Sequence, residues 1–221
     1  MARVSQAHLD ARRRQILDGA ARCFARNGFH ATSMQDVLRE AGLSAGAVYR
    51  YFRSKEEIIG AIARECFATV RAAFEDAARE TPPPPPDVIV GRVLHQVYEG
   101  PAGFTQGDGE SFARLILQVW SETLRNDELA AILRDGFGHL REGWTGLVES
   151  YQQAGLVRED IPADHMARTL IGAVQGFIAQ QALFGTVDVE VLRNGLRGIM
   201  SMGATVSAAS AASAASAERA S

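Results

Sequence analysis

Apolar residues recur three and four positions apart along most of the chain, and no window of the head alternates with the period of two that a strand requires. Ile16, Leu17, Ala20, Ala21 and Phe24 form one stripe, which predicts a helix over 11–27 ending at Asn27-Gly28. Thr32 and Ser33 offer an N-cap for a short second helix with Met34, Val37, Leu38 and Ala41, closed by Gly42. Ser44 caps a third helix of about two turns, with Ala45, Val48 and Phe52 in register. Ser54 starts a fourth, apolar at Ile58, Ile59 and Ile62, that runs to about Arg79.

Pro82 to Pro86 read as a rigid polyproline spacer, because such a run interrupts any helix. Beyond it the pattern predicts helices near 88–99, 110–124, 127–154, 162–184 and 188–202. A glycine-rich loop through Pro101, Gly103, Gly107 and Gly109 follows the first of these. Gly155 suits a C-terminal cap and Pro162 a first-turn position. The fold class is therefore all-α. Residues 1–55 form a three-helix helix-turn-helix head, and 56–203 a helical-bundle body. The Ala/Ser-rich stretch 204–221 is too small-chained to build a core and is expected to be a disordered tail.

Composition narrows the class. The chain has 221 residues, 47% hydrophobic and 22% charged, which suits one or two soluble domains and excludes an intrinsically disordered protein. A mean hydropathy of -0.06 excludes a polytopic membrane protein. Thr169 to Val187 carries no charge, the length of a membrane span, yet it contains Gln175, Gln180 and Gln181 and lacks aromatic belts. Gly172 and Gly176, one turn apart, would let another helix approach closely, so this stretch reads as a helix buried between subunits of a soluble oligomer. Arginines at the N-terminus enclose no apolar run, so no signal peptide is visible and a cytoplasmic location is expected. Cys23 and Cys66 sit among apolar neighbours and read as small buried hydrophobes.

Charge is uneven. Residues 1–60 hold ten basic and six acidic side chains, while the remainder holds thirteen and twenty. A basic head on an acidic body suggests that the head meets a polyanion.

Residues 33–52 supply the reason. Ala41 and Gly42 make a tight turn between two helices, and Leu43 plugs the angle between them. On the second helix Val48, Phe52 and Ala45 point inward. Gly46, Ala47 and Arg50 point outward, with Tyr49 and Tyr51 on opposite flanks. Short side chains at the tip and hydrogen-bonding groups on the flanks are what a DNA major groove and its phosphate walls require. Lys55 adds positive charge at the start of the next helix.

Residues 11–59 resemble the N-terminal DNA-binding domain of TetR-family transcriptional regulators. The resemblance rests on Ile16 to Ala21, Phe24, Gly28-Phe29, Ala31-Thr32-Ser33, Ala41 to Ser44, Gly46, Val48-Tyr49, Tyr51-Phe52 and Lys55-Glu56. It implies that Thr32, Ser33, Tyr49, Tyr51 and Lys55 meet phosphates. Ala45, Gly46, Ala47 and Arg50 then face bases, with Ser44 capping the helix that carries them. It also implies a homodimer through helices near 162–184 and 188–202, a double-stranded, palindromic operator, and repression relieved by a small molecule of unknown identity. That effector would lie among the middle helices, and the helix over 55–79 would swing the head. The candidates for its lining are His95, Tyr98, Phe112, Ile116, Trp120, Phe137, Trp144, Gln175 and Phe177, a set that suits a hydrophobic or aromatic molecule.

Enzyme chemistry finds little support. There is no phosphate-cradling glycine loop after a strand and no nucleophile elbow. His139 and Glu142 share a helix face but have no third partner for a metal, and a solvated face explains them better. No cofactor is called for. The competing reading is an all-helical ligand-binding or interaction protein without specific DNA binding.

Overall fold

The computed structural model describes residues 6–99 and 109–201. Eight helices follow in order: α1 (Gln6–Asn27), α2 (Met34–Ala41), α3 (Ala45–Tyr49), α4 (Lys55–Arg79), α5 (Pro86–Glu99), α6 (Gly109–Glu122), α7 (Asp127–Gln153) and α8 (Ala163–Phe184). A further helix, α9, spans 189–201. No described residue lies in a strand, and no helix among them is long and apolar enough to cross a membrane. Most of the glycine-rich loop, from Pro101 to Gly107, and the stretch 204–221 lie outside the described residues.

Local chemistry explains the boundaries. Pro86 occupies the first turn of α5, where its missing N–H costs nothing, so that helix starts two residues earlier than its apolar pattern indicates. Gly155 takes a positive φ after α7, as a terminal cap requires, and Leu156 N–H donates to the Tyr151 carbonyl at 2.9 Å. The third helix is shorter than expected, because the chain turns at Arg50 and Tyr51 before Phe52 returns to the core.

Two apolar clusters form the interior. The first joins Ile16, Leu17, Phe24, Val37, Val48 and Phe52 of the head to Ile58, Ile59 and Ile62 of α4, and continues into Leu115, Val119, Leu129 and Leu133 of α6 and α7. The second gathers Phe74, Val90, Leu94, Phe112, Trp144, Leu147 and Phe177 from α4 to α8. Helix α4 thus belongs to both.

Helices α1 and α2 are clamped by charge as well as by packing. Glu40 accepts from Arg22 Nε at 2.8 Å and from Arg26 Nη2 at 3.1 Å. These hydrogen bonds, Arg22's first, hold the Glu40 carboxyl below the usual carboxylate range. A folded-state value below the unfolded one stabilises the fold at neutral pH, and the gain disappears as pH falls through the folded value. Glu40→Gln is therefore expected to lower stability at pH 7 by no more than about 1 kcal/mol, because the pair is solvent-screened. Thermal unfolding of both proteins between pH 7 and pH 3 should show the difference closing on the acid side.

Candidate nucleic-acid interface and effector cavity

The turn between α2 and α3 is built from caps. Ser33 Oγ accepts from Asp36 N–H at 3.2 Å, while the Asp36 carboxylate accepts from Ser33 N–H at 2.9 Å, closing a reciprocal capping box. The Ser33 hydroxyl also donates to that carboxylate at 2.6 Å, which holds Asp36 below the usual range. At the other end Gly42 adopts φ 65°. Ser44 Oγ then accepts from Ala47 N–H at 3.4 Å to start α3.

From this scaffold α3 presents Ala45, Gly46, Tyr49 and Arg50 to solvent, with Ala47 half-buried among them. A Cβ added at Gly46 would meet open space, so internal packing does not explain its small size. Tyr49 is half exposed, so its ring and hydroxyl are open to a partner. Tyr51 lies against the head core with part of its surface outward.

Two residues expected on phosphates are committed elsewhere. Thr32 is buried, and its hydroxyl donates to the Gly28 carbonyl at 2.8 Å, so it ties the α1–α2 loop together. Lys55 Nζ donates to the carbonyls of Phe29 at 3.0 Å, Thr32 at 3.2 Å and His30 at 3.4 Å. It also sits 4.6 Å from the Phe29 ring centroid. Its charge holds that loop on α4 rather than reaching outward. Ser33 likewise works as a cap, and the anionic Asp36 beside it would repel a phosphate at that helix start.

The body encloses a cavity of about 120 Å³. Phe112, Ile116, Trp120, Phe137, Trp144 and Gln175 line it, as the sequence suggests. Three other candidates do not. His95 is exposed on the outer face of α5, 3.4 Å from Glu99. Tyr98 is buried but turned toward Gln181, whose Nε2 donates to its hydroxyl at 2.9 Å. Phe177 packs in the same cluster away from the cavity. The sequence reading missed the α4 wall of Ile62, Cys66, Phe67, Val70 and Phe74, although their helical spacing continues the stripe begun at Ile58. Burial pushes the Cys66 thiol up to about 12, so it stays protonated and acts as a hydrophobe. Among the described residues no group of three or more His, Cys, Asp or Glu could hold a metal ion, and His139 is exposed, 3.7 Å from Asp135.

Residues 16–62 match the model for bacterial regulatory proteins of the tetR family. Residues 104–218, more than half of the chain, match the C-terminal model for BetI-type transcriptional repressors. The chain belongs to the TetR family.

Similarity to individual proteins agrees. The chain is 31% identical over 183 residues to the HTH-type transcriptional repressor Rv1474c of Mycobacterium tuberculosis, covering 82% of this chain and 88% of that one. It is 27% identical over 204 residues to the HTH-type transcriptional regulator UidR of Escherichia coli K12, covering 91% and 97%. Its fold matches that of Salmonella enterica GusR with a TM-score of 0.67 at 23% identity, over 90% of this chain and 99% of the other.

In this TetR-family chain helices α4 and α6 connect the head to the cavity. Helix α4 contributes Ile58, Ile59 and Ile62 to the head core and Cys66, Phe67 and Phe74 to the cavity wall. Helix α6 lines the cavity with Phe112, Leu115, Ile116, Val119 and Trp120, while its Gln118 Oε1 accepts from Phe29 N–H of the head at 3.2 Å. Four residues on, buried Glu122 stands 3.1 Å from His30 Nε2. The α6 connection was invisible in the sequence, because 89 residues separate Phe29 from Gln118.

Proposed function

We propose that this TetR-family regulator is a repressor that holds a two-fold operator as a homodimer and releases it when a small hydrophobic or aromatic molecule enters the cavity. The observation that carries this is the shared wall: two helices that line the cavity, α4 and α6, also grip the head. A ligand changes DNA affinity only through its different affinity for two conformations, and a movement of either helix would differ in both places at once. The similarity to Rv1474c, named a repressor, supports the sign of regulation.

In this reading residues 1–55 are the DNA-binding head and 56–203 the regulatory body. Ala45, Gly46, Ala47 and Arg50 face bases, and Tyr49 and Tyr51 meet phosphates. Helices α8 and α9 meet those of a second subunit. In support of that, Leu183, Phe184, Val191 and Ile199 are exposed on them, and Gly172, Gly176, Gly195 and Gly198 have open space where a Cβ would stand. Two-fold symmetry then places the recognition helices about 34 Å, or a multiple of it, apart along DNA.

Selection of bound duplexes from a random pool tests the reading, with Tyr49→Ala as control. Enrichment of one palindromic site by the natural protein, lost in the variant, is the expected result. No enrichment at low salt, where phosphate contacts are strongest, would overturn DNA binding.

A further inference from the structure

The cavity alone would be filled by about one aromatic ring, since an engineered cavity of about 150 Å³ in another protein holds benzene. It backs onto a wider mouth of about 620 Å³ between α6, α7 and α8. Trp120, Leu133, Phe137, Ile171 and Gln175 line both spaces. The charged side chains lining the mouth are all arginine: Arg134 and Arg141, two turns apart on α7, and Arg168 on α8.

Their partners do not balance them. Asp164 takes Arg168 Nε at 2.9 Å and Arg141 Nε at 3.3 Å, so one carboxylate serves two guanidiniums. Arg134 has no ion pair among the described residues. Like charges gathered on one rim repel, and guanidinium forks match the paired oxygens of a carboxylate or phosphate. We propose that the effector is an amphipathic anion, with its apolar end in the cavity and a carboxylate or phosphate group at the arginine-lined mouth. This deepens the effector reading above and rests on it.

The apolar wall selects for the body of such a molecule, and the arginines select for its end group. Gln175, on the wall between the two spaces, offers an amide to the junction.

Fluorescence can test this directly, because the chain has two tryptophans and both, Trp120 and Trp144, line the cavity. The probes are 4-phenylbutyrate, 4-phenylbutyl phosphate and methyl 4-phenylbutyrate, titrated into the natural 221-residue chain, Arg134→Ala and Arg168→Ala. At least one anion is expected to bind the natural protein roughly tenfold or more tighter than the ester, the effect expected of one charge-assisted contact. Each arginine variant should reduce that preference and leave ester affinity unchanged. The stronger anion identifies the end group. Equal binding of ester and anions, or a preference that survives both substitutions, would overturn the inference while leaving the apolar-effector reading in place. No binding of any probe would overturn both.

Discussion

Arg50→Ala is expected to weaken operator binding by roughly thirtyfold or more, because a homodimer loses a base-edge contact of about 1–3 kcal/mol in each of its two half-sites. Arg50 is the longest side chain that the recognition helix sends to solvent, beside Ala45 and Gly46, which present little beyond backbone. If it reads a base, its loss should also relax sequence preference at one position of each half-site. The dependence of affinity on salt should stay nearly unchanged, because no phosphate contact has gone. A uniform loss across all sequences with a shallower salt slope would instead place Arg50 on a phosphate. Binding isotherms on the selected operator and its single-base variants, at two salt concentrations, separate these outcomes.

Gly136→Ala should destabilise the protein although it improves helix propensity. A Cβ built there would run into the ring of Phe67, closer than any real contact. Overpacking of this kind costs about 1–3 kcal/mol, against a propensity gain of about 1 kcal/mol. Gly146→Ala on the same helix is the control, since nothing lies within 4 Å of its Cβ position, and it should stabilise by about 0.5–1 kcal/mol. Opposite signs in chemical denaturation are the expected result. Phe67 also faces Phe137 edge-on at 5.2 Å, and both line the cavity. A displaced Phe67 should therefore alter effector response in the same variant.

Sequence pattern located the helices well, because caps and breakers are local chemistry. Ser33, Gly42, Ser44 and Ser54 lie where the structure turns, and α4 runs between the expected ends. The wheel of the third helix also sorted Val48 and Phe52 inward and Arg50 outward, but it turned Ala45 inward as well, and that residue, at the first turn where no neighbouring helix covers it, is exposed. What it could not supply was distance across the chain. Thr32 and Lys55 look like DNA ligands as residue types, yet carbonyls of the α1–α2 loop occupy both. His95 and Tyr98 lie on the same helix as true lining residues, but rotation about its axis sends one to solvent and the other to Gln181. Three arginines that look scattered over 35 positions in the sequence share one mouth only because α7 and α8 pack together.

The continuity of the first apolar cluster bears on any attempt to build hybrid regulators. A head cut after residue 55 would leave behind Ile58, Ile59 and Ile62, and with them the facing Leu115, Val119, Leu129 and Leu133. Grafted onto a foreign sensor, it would arrive with a raw apolar flank and a mismatched landing site. A transplantable unit has to carry the first turns of α4, and its recipient must be recut at Leu115, Gln118, Glu122 and Leu129 to receive it. The seam between reading DNA and sensing a molecule is thus a surface to be matched, not a peptide bond to be spliced.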